Sequence, residues 1–242
     1  MSHATAHERT RIKICGLTRE QDVDAAVAAG ADAVGFVMYR KSRRFVAPQR
    51  AAELARRLPP FVTPVLLFVN EAPAVIQAAC ALVPGCWLQF HGDETPAQCD
   101  EASAGRVPYL VAARIPLDDA PFDLLKFASE HTAARGILLD AHSVGYGGAG
   151  KAFNWSRLPP SVNGHLVLSG GLAPANVGDG ILQLRPRCRS LAVDVSSGVE
   201  ATSSTGASLK GIKDAARIHS FVAAVRAADA QFAKTHANLP TA

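Results

Sequence analysis

Short β-branched runs and alanine-rich stretches with apolar residues three and four apart alternate from one end of the chain to the other. Brief apolar runs of this kind mark strands, and a spacing of three to four marks the buried face of a helix. Strands are predicted over 11–15, 33–37, 64–69, 86–91, 107–113, 136–140, 165–168 and 190–195. Helices are predicted over 19–29, 48–58, 72–82, 95–104, 123–132, 174–184 and 209–234. Helix entries carry their own signals. Thr18 and Gln21 have capping-box spacing, and Pro48, Pro73, Pro96 and Pro174 fall where a first helical turn tolerates a missing N–H. The stretch 141–160 is the one long irregular connection, with a short helical turn expected near Trp155.

Eight strands, each followed by a crossover, predict an α/β fold: a single (β/α)8 TIM barrel over residues 11–234. Residues 1–10 are expected to be a disordered N-terminal tail and 235–242 a C-terminal tail. The rival is an open doubly wound sheet. It carries a G-x-G-x-x-G fingerprint after its first strand, where this chain has Cys15-Gly16-Leu17-Thr18.

Composition narrows the class of function. At 242 residues with 48% hydrophobic positions the chain can bury a large core. No apolar run approaches the ~20 residues of a membrane helix, and the first ten residues lack a secretory apolar segment. Five cysteines with no C-x-x-C pair argue for reduced thiols in a cytoplasm. The net charge of +4 comes from 25 basic and 21 acidic residues scattered along the chain. That pattern reads first as a general arginine- and alanine-rich composition, with an anionic small substrate as the alternative, and not as nucleic-acid binding.

Barrel chemistry gathers where strands end, which selects Cys15, Arg44, His91, Asp140, Asp194 and two glycine-serine turns. The turns are Leu168-Ser169-Gly170-Gly171-Leu172 and Val195-Ser196-Ser197-Gly198-Val199. Each closes an apolar strand and is placed to open a helix, where free N–H groups favour an anion. Together they make a phosphate grip. Strand alternation puts Lys13 and Cys15 on one face, so the lysine is expected to lower the pKa of the thiol. Asp140 and Asp194 each end a buried strand, as helix caps or as functional carboxylates. A thiolate base and a carboxylic acid across one cavity can move a proton on a sugar. Arg44 suits a substrate carboxylate, through two parallel hydrogen bonds. His91 shares a face with Gln89 and is a candidate lining residue. Gly145 to Lys151 spells G-x-x-x-x-G-K, but Ala152 stands where Mg²⁺ needs Ser or Thr, so a glycine-rich lid is the better reading. Cys80, Cys86, Cys99 and Cys188 fall away from the strand ends and are read as structural.

These positions resemble the phosphoribosylanthranilate isomerase family. The matching segments run in the family's order through Lys13-Ile14-Cys15-Gly16, Ser42-Arg43-Arg44, Gln89-Phe90-His91-Gly92, Leu138-Leu139-Asp140, Gly147-Gly148-Ala149-Gly150, Leu168-Ser169-Gly170-Gly171 and Val193-Asp194-Val195-Ser196-Ser197-Gly198-Val199-Glu200. The resemblance implies an Amadori rearrangement in tryptophan biosynthesis, without metal or cofactor. It implies Asp140 as general acid, Cys15 as general base and Arg44 on the anthranilate carboxylate. Asp194 would orient the substrate, with His91 lining the pocket. The turns at Gly170, Gly171, Ser197 and Gly198, with the lid Gly148, would hold the phosphate. The partner implied is a phosphorylated small molecule, with no nucleic acid or membrane, and the chain is expected to be a monomer or weak homodimer. Asn154, Phe90 and Met38 depart from the family's usual residues, and 201–207 reads as a lengthened loop. Two rivals stand beside this reading. One is the histidine-pathway isomerase, whose family has a carboxylate in place of Cys15; the other is a non-catalytic binder of a phosphorylated ligand.

Overall fold

The computed structural model describes residues 9–117, 120–142 and 154–237. Eight parallel strands close into a barrel in sequential order: β1 (Arg11–Cys15), β2 (Ala33–Val37), β3 (Thr63–Phe68), β4 (Trp87–Phe90), β5 (Tyr109–Pro116), β6 (Gly136–His142), β7 (Val162–Leu168) and β8 (Cys188–Val195). The crossovers carry α1 (Glu20–Ala29), α2 (Pro48–Ala55), α3 (Pro73–Leu82), α4 (Pro96–Ser103), α5 (Leu124–Glu130) and α6 (Val177–Leu184). After β8 come a hairpin of β9 (Glu200–Thr202) and β10 (Ser208–Lys213), then the long α7 (Ala215–Ala237).

Alternation along the strands separates two interiors. Ile12 and Ile14 are buried in the layer between barrel and helices, with Val23, Leu54, Ile76 and Phe221. Cys15 faces inward, in a separate group with Val37, Leu67 and Val69. The register of β1 against β8 sets Lys13 opposite Asp194, and that of β5 against β6 sets Arg114 opposite Asp140. The fold therefore delivers polar groups into the barrel mouth by the same two-residue period that keeps isoleucine out of it.

Several expectations are corrected. The helix predicted over 209–234 begins only at Ala215, because residues 208–213 pair antiparallel with β9. In β10, Gly211 and Lys213 alternate inward toward Glu200. The start of α7 is marked instead by Asp214, which accepts from the Arg217 N–H. Thr18 does not cap α1: its hydroxyl donates to the Gly211 carbonyl at 2.7 Å. The complete capping box is at Thr95 and Gln98 on α4. Pro174 precedes α6 by three residues, within a turn held by Asn176. At the ends, Thr10 is fully buried against Asp229 and α7 continues to Ala237, so ordered structure reaches into both stretches expected as tails, 1–10 and 235–242. The short helical turn expected near Trp155 is present as a 3-10 turn, Trp155–Arg157.

Candidate active site

The C-terminal ends of the strands open onto a pocket enclosing about 700 Å³, its mouth included. Cys15, Arg44, His91, Asp140, Gly170, Gly171, Asp194 and Ser197 all line it. These eight positions come from six of the eight strand ends, and only the closed barrel brings them together.

At β1 and β8 the Lys13 amine donates to Asp194 Oδ1 at 2.9 Å, with both side chains nearly excluded from solvent. Burial alone would push this amine down, but Asp194 and Cys15 outweigh it and hold it above the ordinary lysine value. The Cys15 thiol is less favoured. Burial pushes it up, and the Asp194 charge adds to that; Lys13 and Lys213 oppose without reversing the result. The expectation that Lys13 brings the thiol down is thus corrected: desolvation and Asp194 outweigh the lysine. Lys13 is also a poor position to substitute, because removing it strands the Asp194 carboxylate at a cost of about 3–5 kcal/mol.

Across the mouth, His91 Nε2 stands 2.9 Å from Asp140 Oδ2, and Gln89 Nε2 stands 3.0 Å from His91 Nδ1. With the Gln89 amide donating to Nδ1, the ring proton is on Nε2 and points at Oδ2. Oδ2 is then committed as an acceptor, and an acidic proton on Asp140 belongs on Oδ1. Oδ1 lies on the Gly170 side, only 3.1 Å from where a Cβ on that glycine would sit.

The two turns are fastened to each other. A Cβ on Gly198 would fall 1.9 Å from the Leu172 carbonyl oxygen, so only glycine lets the second turn lie on the first. Among the described residues the N–H groups of Gly170 and Gly171 have no hydrogen-bond partner. The expected helix openings are modified. The second turn leads into a 3-10 turn, Ser197–Val199, and residues 173–176 separate the first from α6. Gly198→Ala is expected to cost about 1–3 kcal/mol of stability and to raise KM, because overpacking two backbones has to shift one turn. Thermal melts beside steady-state kinetics measure both.

The sequence model of the N-(5'-phosphoribosyl)anthranilate (PRA) isomerase family matches residues 12–224. The chain belongs to that family. N-(5'-phosphoribosyl)anthranilate isomerase of Methylibium petroleiphilum is 61% identical over 225 residues, covering 93% of this chain and 98% of the relative. That of Leptothrix cholodnii is 60% identical over 223 residues, covering 92% and 94%. Among solved structures, phosphoribosyl anthranilate isomerase from Thermotoga maritima superposes with a TM-score of 0.72 at 37% identity, covering 90% of this chain and 99% of that one. Another isomerase structure, in complex with reduced 1-(o-carboxyphenylamino)-1-deoxyribulose 5-phosphate, gives 0.71 at 35% identity, with coverage of 90% and 99%.

Within this isomerase fold, Cys15, Asp140, His91, Asp194, Gly170, Gly171 and Ser197, all read from the sequence as site candidates, line the same pocket. Gly198 stands one residue behind the wall and acts by letting the turns meet. Gly148 and the rest of the glycine-rich lid lie outside the described residues. Arg44 reaches the pocket already paired, with Nε 2.6 Å from Glu200 Oε1 and Nη2 3.0 Å from Oε2. Sequence reading gives Glu200 a place in a matching segment but no role, and nothing local to it signals a partner 156 positions away. It also missed the bond between His91 and Asp140, since the alternation that paired His91 with Gln89 says nothing about a strand two places round the barrel. All five cysteines are free thiols.

Proposed function

We propose that the chain converts N-(5'-phosphoribosyl)anthranilate to 1-(2-carboxyphenylamino)-1-deoxyribulose 5-phosphate, the isomerisation step of tryptophan biosynthesis, in the cytoplasm. Cys15 and Asp140 opening onto the same pocket is the observation that carries this reading. Asp140 gives the proton on Oδ1 to the furanose ring oxygen. The C1–O bond then breaks as the anthranilate nitrogen forms a C1=N Schiff base. The Cys15 thiolate takes the proton from C2, and the released electron pair makes the C1=C2 enolamine. Protonation at C1 and loss of the C2 hydroxyl proton give the ketone. Arg44 receives the anthranilate carboxylate, Asp194 orients the sugar, and the turns at Gly170, Gly171 and Ser197 receive the phosphate on their N–H groups. No helix among the described residues is long and apolar enough to cross a membrane.

Turnover by the purified protein separates this reading from the histidine-pathway rearrangement of a related aminoaldose. The anthranilate substrate is expected to be consumed with loss of its fluorescence; turnover of the histidine intermediate alone would overturn the assignment. The presence of Cys15, in place of a second carboxylate, favours the anthranilate reaction. We also place the chain as a monomer or weak homodimer, with the fully exposed Phe61 at the opposite barrel end as the residue best placed for self-contact. Sedimentation equilibrium reads that directly.

The base must be deprotonated and the acid protonated in the same molecule, so rate falls toward both extremes of pH. A bell-shaped profile of kcat/KM is expected. Burial and the facing Asp194 hold the Cys15 thiol above its ordinary value. A flat profile between about pH 5 and 10, with chemistry shown to limit the rate, contradicts the assignment.

A further inference from the structure

We infer that Glu200, on the hairpin after β8, is a positioning residue that sets which edge of the Arg44 guanidinium faces the pocket, and so fixes recognition of the substrate carboxylate. This rests on the proposed function. Arg44 arrives on the loop after β2, where its Cδ packs over Gly16; a Cβ on Gly16 would fall 2.5 Å from it. A guanidinium has five N–H donors. Glu200 takes the Nε–H and one on Nη2, at 2.6 and 3.0 Å. Three donors remain on the Nη1 and Nη2 side, enough for a second, parallel two-bond clamp on an incoming carboxylate.

Glu200 is itself held from several directions, which is what a positioning group requires. It is completely buried. The Gly211 N–H donates to Oε1 at 2.9 Å, and the Ser208 hydroxyl donates to Oε2 at 3.1 Å. Lys213 Nζ stands 3.5 Å from Oε1 and Lys210 Nζ 3.7 Å from Oε2. Burial opposes the charge, but Arg44, Lys213 and the Gly211 N–H prevail and hold the carboxyl down at about 2. Lys213 also donates to the Ser196 carbonyl at 2.8 Å. The carboxylate clamp is thus tied to the turn that lines the phosphate end of the pocket. The hairpin that supplies Gly211 and Lys213 is the element that replaces the first part of the expected C-terminal helix.

A structural strut and a positioning residue differ in what they do to a substrate without a carboxylate. The test compares N-(5'-phosphoribosyl)anthranilate with the aniline analogue, made by condensing each amine with ribose 5-phosphate, on wild type, Glu200→Gln and Glu200→Asp. For the carboxylated substrate both variants are expected to raise KM by about tenfold or more, with kcat within about threefold, as loss of a charge-assisted contact does. For the aniline analogue, KM in both variants is expected to match wild type. Glu200→Asp keeps the charge that Arg44 and Lys213 require, and it carries the test if Glu200→Gln does not fold. Equal loss on both substrates, or no change on either, overturns the inference while the wild-type reaction stands. A wild type that leaves the carboxylated substrate unconverted overturns the proposed function itself.

Discussion

Asp140→Asn is expected to lower kcat by about a hundred- to ten-thousandfold, the range a positioned general acid contributes. Asparagine has the same shape and still accepts from His91 Nε2–H through its carbonyl oxygen, so the Gln89–His91–Asp140 chain survives. What is lost is the proton on the other oxygen. The ring oxygen then leaves without protonation, and the Schiff base forms only as fast as water supplies the proton. KM is expected to stay within about a factor of three, since the phosphate turns and Arg44 are untouched. With ring opening limited by the proton that water supplies, the residual rate no longer follows the thiolate fraction, and no alkaline rise is expected between about pH 6 and 8. A residual rate climbing about tenfold per pH unit in that window leaves proton abstraction limiting and assigns ring protonation to another group.

Cys15→Ser is expected to cause a loss of similar size, about a hundred- to ten-thousandfold in kcat. The substitution barely changes volume, and the apolar contacts with Val37, Leu67 and Val69 remain. A serine hydroxyl in the same place does not ionise at the pH where the thiol does, so the Schiff base accumulates with its C2 proton in place. The buried pair of Lys13 and Asp194 is undisturbed, which keeps the fold and makes this a cleaner probe than any change at Lys13. Thermal denaturation checks that stability is retained.

The barrel and most of its mouth were legible because both rest on local pattern. The two-residue period that placed Ile12 and Ile14 against the helices also placed Lys13 and Cys15 inside, and strand ends with Asp140 and Asp194 marked the mouth directly. What escaped was of another kind. Strand β10 is read as the start of the helix that follows it, because Leu209 and Ile212 are three apart and fit a helical stripe as well as a strand, and β9 falls in the turn and lengthened loop before it. The role of Glu200 escaped too, since it comes from Arg44, Gly211 and Lys213 converging on one buried carboxylate. The direction of the Cys15 shift escaped because proximity to Lys13 is readable along one strand, whereas full desolvation and the facing Asp194 are properties of the closed barrel. Long-range polar pairing and burial are set by closure, and a one-dimensional pattern carries little of either.

The measurement that bears most directly on proton exchange between Cys15 and Asp140 is loss of anthranilate-substrate fluorescence, followed for wild type, Cys15→Ser and Asp140→Asn at equal folded concentration. Both variants are predicted to run at or below about one-hundredth of the wild-type rate while still binding the substrate. Either variant turning over at the wild-type rate would contradict the account.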